Sequence, residues 1–252
     1  MRSKFTQGLE QNVQVMGEGE DILLIMGQGA RGRVWHSYQA PELVAAGYRV
    51  ITYDNLSVTS DRPYSFQDIV DEASQILDDY ADGPAVVVGT SLGASITAAL
   101  AAQRPTVVRG AVLCALAGVL PEKQLVKIGS ATTPETFSGL NLSPMTLSNP
   151  LRRRMWNQLI EYSVDMNRPL GNPPCDQREH WSLESMLRSI QAPILNIVYA
   201  DDHVVPPSLS HYLASLIPNS QVEELANTGH WGYLERPEAF NQLFLDFLAN
   251  LH

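Results

Sequence analysis

Short apolar runs, each followed by a polar or glycine-rich loop, recur along the chain. Residues 22–26 (ILLIM) are apolar throughout and therefore predict a strand that is buried on both faces. Similar runs follow at intervals that leave room for helices between them. The predicted strands cover residues 12–17 (an edge strand), 22–26, 48–54, 86–88, 107–116, 193–202 and 221–225.

Segments with helical spacing separate these strands. Ser65 and Asp68 resemble a capping box, and apolar residues then recur every three or four positions as far as Tyr80. Gly47 fits a left-handed stop for a helix over 36–46. Further helices are predicted over 92–102, 209–216 and 237–248. This alternation predicts an α/β fold with a parallel sheet and helices on both faces.

Residues 119–187 break the alternation. They hold two of the four tryptophans and four of the seven methionines, with one clear helical pattern at 151–162. An ordinary surface insertion is the simpler interpretation. We favour a cap over the carboxyl ends of the strands, because an apolar lid excludes water and shapes a pocket. The expected division is an α/β core over 1–118 and 188–252, with a cap over 119–187.

Composition narrows the class of protein. The 252 residues are 44% apolar with a net charge of −10, which favours one large core and disfavours nucleic acid or anionic membrane as partner. The basic run 152–154 is better explained as a solvated helix face. Cys114 and Cys175 give no disulfide framework. Because no leader and no run of about 18 apolar residues is seen, we expect a cytoplasmic protein. We also expect a monomer or homodimer, without metal or cofactor.

One loop carries a pentapeptide with chemical meaning. The sequence GTSLG, at 89–93, follows the apolar run at 86–88 and precedes an alanine-rich helical segment. A strand that reverses sharply into a helix crowds its own backbone, so the residues that flank the serine must be small. This is the arrangement of a nucleophile elbow, and it predicts Ser91 as the nucleophile. A structural turn is the alternative.

A serine hydroxyl needs a base, and histidine is the usual one because its pKa lies near neutrality. His230 follows a strand directly through a glycine turn and is therefore the expected base. The carboxylate that orients it is expected after the strand that ends at Asp201 and Asp202. On an extended backbone adjacent side chains point apart, so only one of these carboxylates can reach His230. We choose Asp202 and keep Asp201 as the alternative.

Acyl transfer also requires two donors for the oxyanion of the tetrahedral intermediate. The backbone N–H of Leu92 lies at the start of the helix that follows Ser91 and is the first candidate. The loop after ILLIM is expected to supply the second, and we choose the N–H of Gln28. An ordinary β-turn is the alternative for that loop.

Together these motifs resemble the α/β-hydrolase superfamily over nearly the whole chain, with small capped esterases and enol-lactonases as the closest-looking branch. The resemblance rests on LLIMGQG, VITYDN, VVGTSLGA, ADDHVVP and NTGHWGYLERPE. It implies a mostly parallel, eight-stranded type of sheet with a small helical cap. It also implies nucleophile Ser91, acid Asp202, base His230 and oxyanion donors on Gln28 and Leu92.

The chain departs from this family at two places. Met26-Gly27 stands where the family usually has His-Gly, and NLSVTS at 55–60 replaces a loop with two glycines. The second departure predicts an unusual shape for that loop at the edge of the pocket. A serine at 91 argues against haloalkane dehalogenases and epoxide hydrolases, whose nucleophile at this place is aspartate.

The leading functional expectation is a serine hydrolase that cleaves an ester, lactone or thioester of a mainly apolar small molecule. The same site would also serve carbon–carbon hydrolysis, acyl transfer, or a cofactor-free lyase or cyclase step. A ligand receptor built on a hydrolase scaffold is a third alternative. Arg31 and Arg33 are expected either at the surface or on a substrate carboxylate. The candidates for the substrate pocket are Trp35, Met155, Trp156 and Trp231.

Overall fold

The predicted strands are present and form one sheet. The computed structural model describes residues 12–118, 120, 122–163 and 183–251, so Cys175 lies outside the described residues. The strands are β1 Gln14–Met16, β2 Glu20–Ile25, β3 Tyr48–Thr52, β4 Ala85–Thr90, β5 Val108–Cys114, β6 Ile194–Tyr199 and β7 Ser220–Leu225. The predicted edge strand at 12–17 is confirmed as β1, which pairs antiparallel with β3.

The strand order is β1-β3-β2-β4-β5-β6-β7, and every pair except β1–β3 is parallel. The sheet thus has seven strands in the described part of the chain, one fewer than the eight-stranded type that the resemblance implies. Gly17 and Gly19 both have positive φ and turn the chain from β1 into β2. Residues 12–19 therefore provide only one short strand ahead of β2.

Both faces of the sheet are buried, as the continuous apolar runs predict. Along β2, Leu23 and Ile25 lie in one core cluster, whereas Ile22 and Leu24 lie in the other. Successive side chains of a strand point to opposite faces, so an uninterrupted apolar run fits only a strand covered on both sides. The carboxyl ends of the parallel strands consequently share one edge, where their loops meet.

Helices cover the two faces. They are α1 Gln39–Ala45, α2 Leu56–Thr59, α3 Phe66–Tyr80, α4 Leu92–Gln103, α5 Glu122–Gly129, α6 Pro134–Asn141, α7 Pro144–Ser148, α8 Pro150–Ser163, α9 Leu183–Ser189, α10 Pro207–Ser215, α11 Gly232–Glu235 and α12 Pro237–Ala249. Helices α3 and α4 pack on one face, and α1 and α12 on the other. Among the described residues, no helix combines the length and apolarity needed to cross a bilayer.

Local sequence signals explain where several helices begin and end. The capping box at Ser65 and Asp68 is confirmed, and Gly47 follows α1 with φ of +89°. The helix predicted over 36–46 is confirmed over Gln39–Ala45, but it begins three residues later than predicted. A 3₁₀ turn at Gly32–Ser37 precedes α1, and Tyr38 separates the two elements with a non-helical backbone, with φ of −144° and ψ of −45°. The proline in the first turn of α1 lacks an N–H, and a proline at such a position is compatible with the start of a new helix.

Helices α5 to α8 fill the described part of the segment that we predict to be a cap. The first of them, α5, reaches the loop after β6, where Gln124 Nε2 donates a hydrogen bond to the carbonyl of Val204 at 2.8 Å. Helix α9 spans the predicted boundary at 187, and Leu187 is fully buried in the same core cluster as α3 and α4. The division into core and cap remains a prediction, and α9 packs with the core.

Candidate active site

Ser91 occupies the turn between β4 and α4, with φ of 57° and ψ of −119°. A residue other than glycine rarely adopts positive φ, and such strain is retained where the surrounding structure imposes it. The two flanking glycines explain how it is imposed. A Cβ at Gly89 would lie 2.0 Å from the carbonyl oxygen of Gly93, and one at Gly93 would lie 2.3 Å from that of Ile25. The elbow therefore folds only with glycine on both sides of the serine.

This packing predicts a strong response to a single methyl group. We expect Gly89→Ala to lower the free energy of unfolding by about 3 kcal/mol or more, at the upper end of overpacking effects. Gly83→Ala is the matched control, because nothing lies within 4 Å of a Cβ there. Urea denaturation of both variants measures the difference. Equal midpoints for the two variants would show that the elbow tolerates a side chain.

Asp202 and His230 meet at the same edge of the sheet. The distance from His230 Nδ1 to Asp202 Oδ2 is 2.7 Å, and both residues are buried. The other carboxylate oxygen, Oδ1, accepts hydrogen bonds from the backbone N–H groups of Val204 at 2.7 Å and Val205 at 2.8 Å. The carboxylate is therefore fixed from both sides. Asp202, rather than Asp201, is the acid that contacts His230.

The bond to Asp202 sets the role of each imidazole nitrogen. A carboxylate at Nδ1 holds the proton on that nitrogen and leaves Nε2 as the acceptor, which is the tautomer that a general base requires. Ser91 lies at the same sheet edge, but no hydrogen bond joins it to His230 among the described residues. In free enzymes such contacts are often long and tighten only when substrate is bound.

The loop after β2 lies against the nucleophile. A Cβ at Gly27 would be 3.2 Å from the Cβ of Ser91 and 3.9 Å from its Oγ, so the two backbones approach closely and a side chain at 27 would be crowded. The backbone N–H groups of Gln28 and Leu92 make no hydrogen bond to another described residue. Neither amide is engaged in another bond, and their role as oxyanion donors remains a prediction.

Three polar residues after β3 hold this loop in place, and the sequence pattern does not predict these contacts. Asn55 Nδ2 donates to the carbonyl of Met26 at 2.9 Å, and the N–H of Gly29 donates to Ser57 Oγ at 3.1 Å. The N–H of Gly32 donates to Asp54 Oδ1 at 2.9 Å. NLSVTS, for which an unusual loop shape is predicted, forms helix α2, which Asn55 caps. In the sequence, Asn55 two residues before Ser57 is the signal that could have indicated this cap.

Arg31 and Arg33 are exposed at the surface, whereas Trp35 lies in the core. Arg31 forms an ion pair with Asp54 at 2.6 Å, and Arg33 is exposed. Trp35 is fully buried and packs against Tyr233, with ring centroids 4.9 Å apart. The expectation that Trp35 lines the pocket is therefore corrected. The 3₁₀ turn directs its ring into the core between the sheet and α12.

The aromatic residues of the cap and of the histidine loop form a cluster. Trp231, next to His230, lies 5.9 Å from Trp156 of α8 and 5.6 Å from Phe137 of α6, measured between ring centroids. The structure thus brings two of the four pocket candidates together. Met155 does not join them, because it faces away on α8 and is 55% exposed.

A carboxyl group is buried beneath the loop that follows β3. Glu72 of α3 is fully buried, and its Oε2 accepts a hydrogen bond from the N–H of Leu56 at 2.9 Å. Its Oε1 and the hydroxyl of Tyr53 have no partner among the described residues. Burial raises the pKa of Glu72 from 4.5 to about 8, against a smaller opposing effect of the Leu56 bond. The side chain is therefore neutral at pH 7.

This shift predicts a pH dependence of stability. Because the folded pKa lies above the unfolded value, the neutral carboxyl stabilises the fold fully below pH 4.5, and that contribution is lost as the pH rises through about 8. Glu72→Gln, which stays neutral, should gain up to roughly 1.4 kcal/mol per pH unit over wild type in this interval. Denaturation at pH 5 and pH 8 measures it, with exposed Asp71→Asn as control. Parallel curves for wild type and Glu72→Gln would contradict the expectation.

No group of three or more His, Cys, Asp or Glu residues within the described ranges is arranged to hold a metal ion. The chemistry available at this site is that of a hydroxyl, an imidazole, a carboxylate and two backbone amides. They lie at the carboxyl ends of β2, β4, β6 and β7, the edge at which open parallel sheets bind their ligands.

The chain belongs to the alpha/beta hydrolase family, whose model matches residues 22–243. The protein BpoC of Mycobacterium tuberculosis, whose name assigns it only provisionally to the non-heme bromoperoxidases, is 32% identical over 93% of this chain and 96% of its own. Its crystal structure superposes with a TM-score of 0.84 at 30% identity, covering 95% of this chain and 96% of BpoC. A 2-hydroxymuconate semialdehyde hydrolase of Pseudomonas putida is 28% identical over 98% of this chain and 94% of its own.

Proposed function

We propose that the protein is a serine hydrolase that cleaves an ester, lactone or thioester of a mainly apolar small molecule. Ser91 is the nucleophile, His230 the general base and Asp202 the carboxylate that orients it. The observation that carries this proposal is the 2.7 Å contact between Asp202 and His230 at the sheet edge where Ser91 occupies its strained turn. The family supports a hydrolase, and the choice of a carboxylic ester substrate rests on the site.

The reaction follows from the positions of these groups. Ser91 Oγ attacks the carbonyl carbon while its proton passes to Nε2 of His230. The negative charge on the former carbonyl oxygen is stabilised by the N–H groups of Gln28 and Leu92. The carbonyl–oxygen or carbonyl–sulfur bond then breaks, and the leaving group takes the proton from His230. Water, deprotonated by His230, hydrolyses the acyl-enzyme and releases the acid and free Ser91.

An apolar substrate is supported by the aromatic cluster above the base. Trp231 adjoins His230, and Trp156 and Phe137 extend the same surface into the cap. Pockets for small molecules are lined mainly by apolar and aromatic side chains, with few polar groups at the reacting atoms. The net charge of −10 does not favour an anionic substrate. A cytoplasmic location and a monomer or homodimer remain expectations from the sequence.

Hydrolysis of a carbon–carbon bond beside a carbonyl is the second candidate. The relative from Pseudomonas putida, named 2-hydroxymuconate semialdehyde hydrolase, aligns with nearly the whole chain. The same oxyanion donors and base would serve such a reaction, because it also develops charge on a carbonyl oxygen. Product analysis separates the two candidates, since cleavage of an ester, lactone or thioester frees a hydroxyl or thiol group, whereas cleavage of a carbon–carbon bond leaves a carbon–hydrogen bond at that position.

Covalent labelling tests the proposal directly. A fluorophosphonate probe reacts with an activated serine, and p-nitrophenyl esters of increasing acyl length report turnover and size preference. We expect the probe to phosphonylate one residue, Ser91. We also expect measurable ester hydrolysis, with the highest turnover for esters that carry a short apolar acyl group. A folded protein that the probe does not modify and that hydrolyses no ester would refute the proposal.

A further inference from the structure

A buried carboxylate, Glu235, connects the cap to the loop that carries His230. Its Oε2 accepts the backbone N–H of Gly229 at 2.6 Å. Its Oε1 accepts both the N–H of Ser143 at 2.9 Å and the hydroxyl of Ser143 at 2.7 Å. Glu235 is only 9% exposed, and Ser143 is fully buried. Three hydrogen bonds therefore converge on one side chain from two segments that are 86 residues apart, at 143 and 229.

A second contact reinforces this connection. The N–H of Trp231 donates to the carbonyl of Asn141 at 3.1 Å. A Cβ at Gly229 would lie 2.6 Å from that same carbonyl oxygen, so the two backbones are in close contact. Gly229 is thus joined to the turn 141–143 through Glu235, and Trp231 is bonded to that turn directly.

The donors explain why a glutamate occupies this position. All three groups that face its two oxygens are donors, and a carboxylate offers acceptors on both oxygens. A glutamine at 235 would direct N–H groups at one of these donors. A shorter aspartate would not span both segments. The side chain is matched to two N–H groups and one O–H group at once.

We propose that Glu235 is a positioning residue, which fixes the histidine loop against the cap turn 141–143 and so holds the His230 ring in orientation between Asp202 and Ser91. The inference rests on the proposed function, because it assumes that His230 acts on Ser91. It adds that the cap takes part in aligning the base as well as covering the pocket. Misplacement of a reacting group by about 1 Å can lower a rate by about 100-fold, so such a contact is kinetically visible.

Glu235→Gln tests the inference from the loop side, and Ser143→Ala tests it from the cap side. The control is Glu238→Gln, an exposed carboxylate three residues further along. Labelling by the fluorophosphonate probe gives a maximal rate and a half-saturating concentration. We expect the maximal rate to fall about 10- to 100-fold in Glu235→Gln and less in Ser143→Ala, with half-saturation nearly unchanged. The control should match wild type.

Proton NMR supplies a readout that a purely structural role would not change. The proton shared by His230 Nδ1 and Asp202 Oδ2 should resonate far downfield in wild type and shift or broaden in both test variants, at temperatures where they remain folded. If Glu235→Gln does not fold, Ser143→Ala decides. Wild-type labelling rate and an unshifted proton in the folded variant would overturn the inference. Absence of labelling in wild type would instead refute the proposed function.

Discussion

Replacing Ser91 with alanine is expected to lower kcat for ester hydrolysis on the order of 10⁶-fold, because the nucleophile and its base act as one unit. The turn itself should survive. Alanine carries the same Cβ at φ of 57°, and the backbone N–H of residue 91 still donates to the carbonyl of Cys114 at 2.9 Å. The loss should therefore appear in the rate and not in folding. Pre-steady-state and steady-state turnover of a p-nitrophenyl ester, together with probe labelling, measure it.

The matched control is Ser215→Ala, an exposed serine on α10 whose hydroxyl only contacts its own helix. It should label and turn over like wild type. A residual rate in Ser91→Ala above the uncatalysed one is expected from the oxyanion donors and from binding. Full activity in Ser91→Ala, with a melting temperature near that of wild type, would show that another residue is the nucleophile.

The strands and the elbow could be predicted from the sequence because their signals are local. A five-residue apolar run such as 22–26 is compatible with few environments other than the middle of a covered sheet. The GTSLG pentapeptide encodes its own steric requirement, and the contacts at Gly89 and Gly93 show that requirement in the fold. The carboxylate that orients His230 is harder to predict. The strand that ends at Asp201 and Asp202 limits the choice to these two neighbours, whose side chains point apart on an extended backbone.

The supporting contacts could not be predicted, because they depend on segments that meet only in the folded chain. Ser143 and Glu235 are 92 residues apart in sequence and share a hydrogen bond of 2.7 Å. Trp35 follows the oxyanion loop directly, and proximity in sequence suggested the pocket. The 3₁₀ turn instead rotates its ring into the core. Local patterns indicate which residues are polar or apolar but not which distant group each will contact.

The burial of Glu72 could be predicted from the sequence only in part. It occurs on the buried face of α3, three residues after Ile69 and four before Ile76, and both of these are buried. Helical spacing places residues three and four apart on one face, so the periodicity that predicted the helix also indicates a buried carboxyl. Its neutral state follows from burial, which the sequence pattern indicates only through these neighbours.

Asp202→Asn is expected to lower kcat about 10⁴-fold, and the reason lies in the bonds of the carboxylate. Oδ1 of Asp202 accepts two backbone N–H groups, from Val204 and Val205, so an asparagine must place its carbonyl oxygen there. Its NH₂ group then faces Nδ1 of His230, where Oδ2 now lies at 2.7 Å. A donor at that position requires Nδ1 to be the acceptor, which moves the ring proton to Nε2.

The resulting tautomer cannot take a proton from Ser91, and this causes the expected loss in kcat. The variant should fold normally and still bind substrate with little change in KM. Asp201→Asn is the matched control, since its carboxylate makes no hydrogen bond to another described residue although its backbone N–H donates to Thr228 at 2.9 Å. We expect that variant within about twofold of wild type, as for most substitutions away from the reacting groups. Turnover of both variants across pH 6 to 9 is the measurement. Equal losses at 201 and 202, or a loss at 201 alone, would contradict the assignment of the acid and with it the orientation of His230.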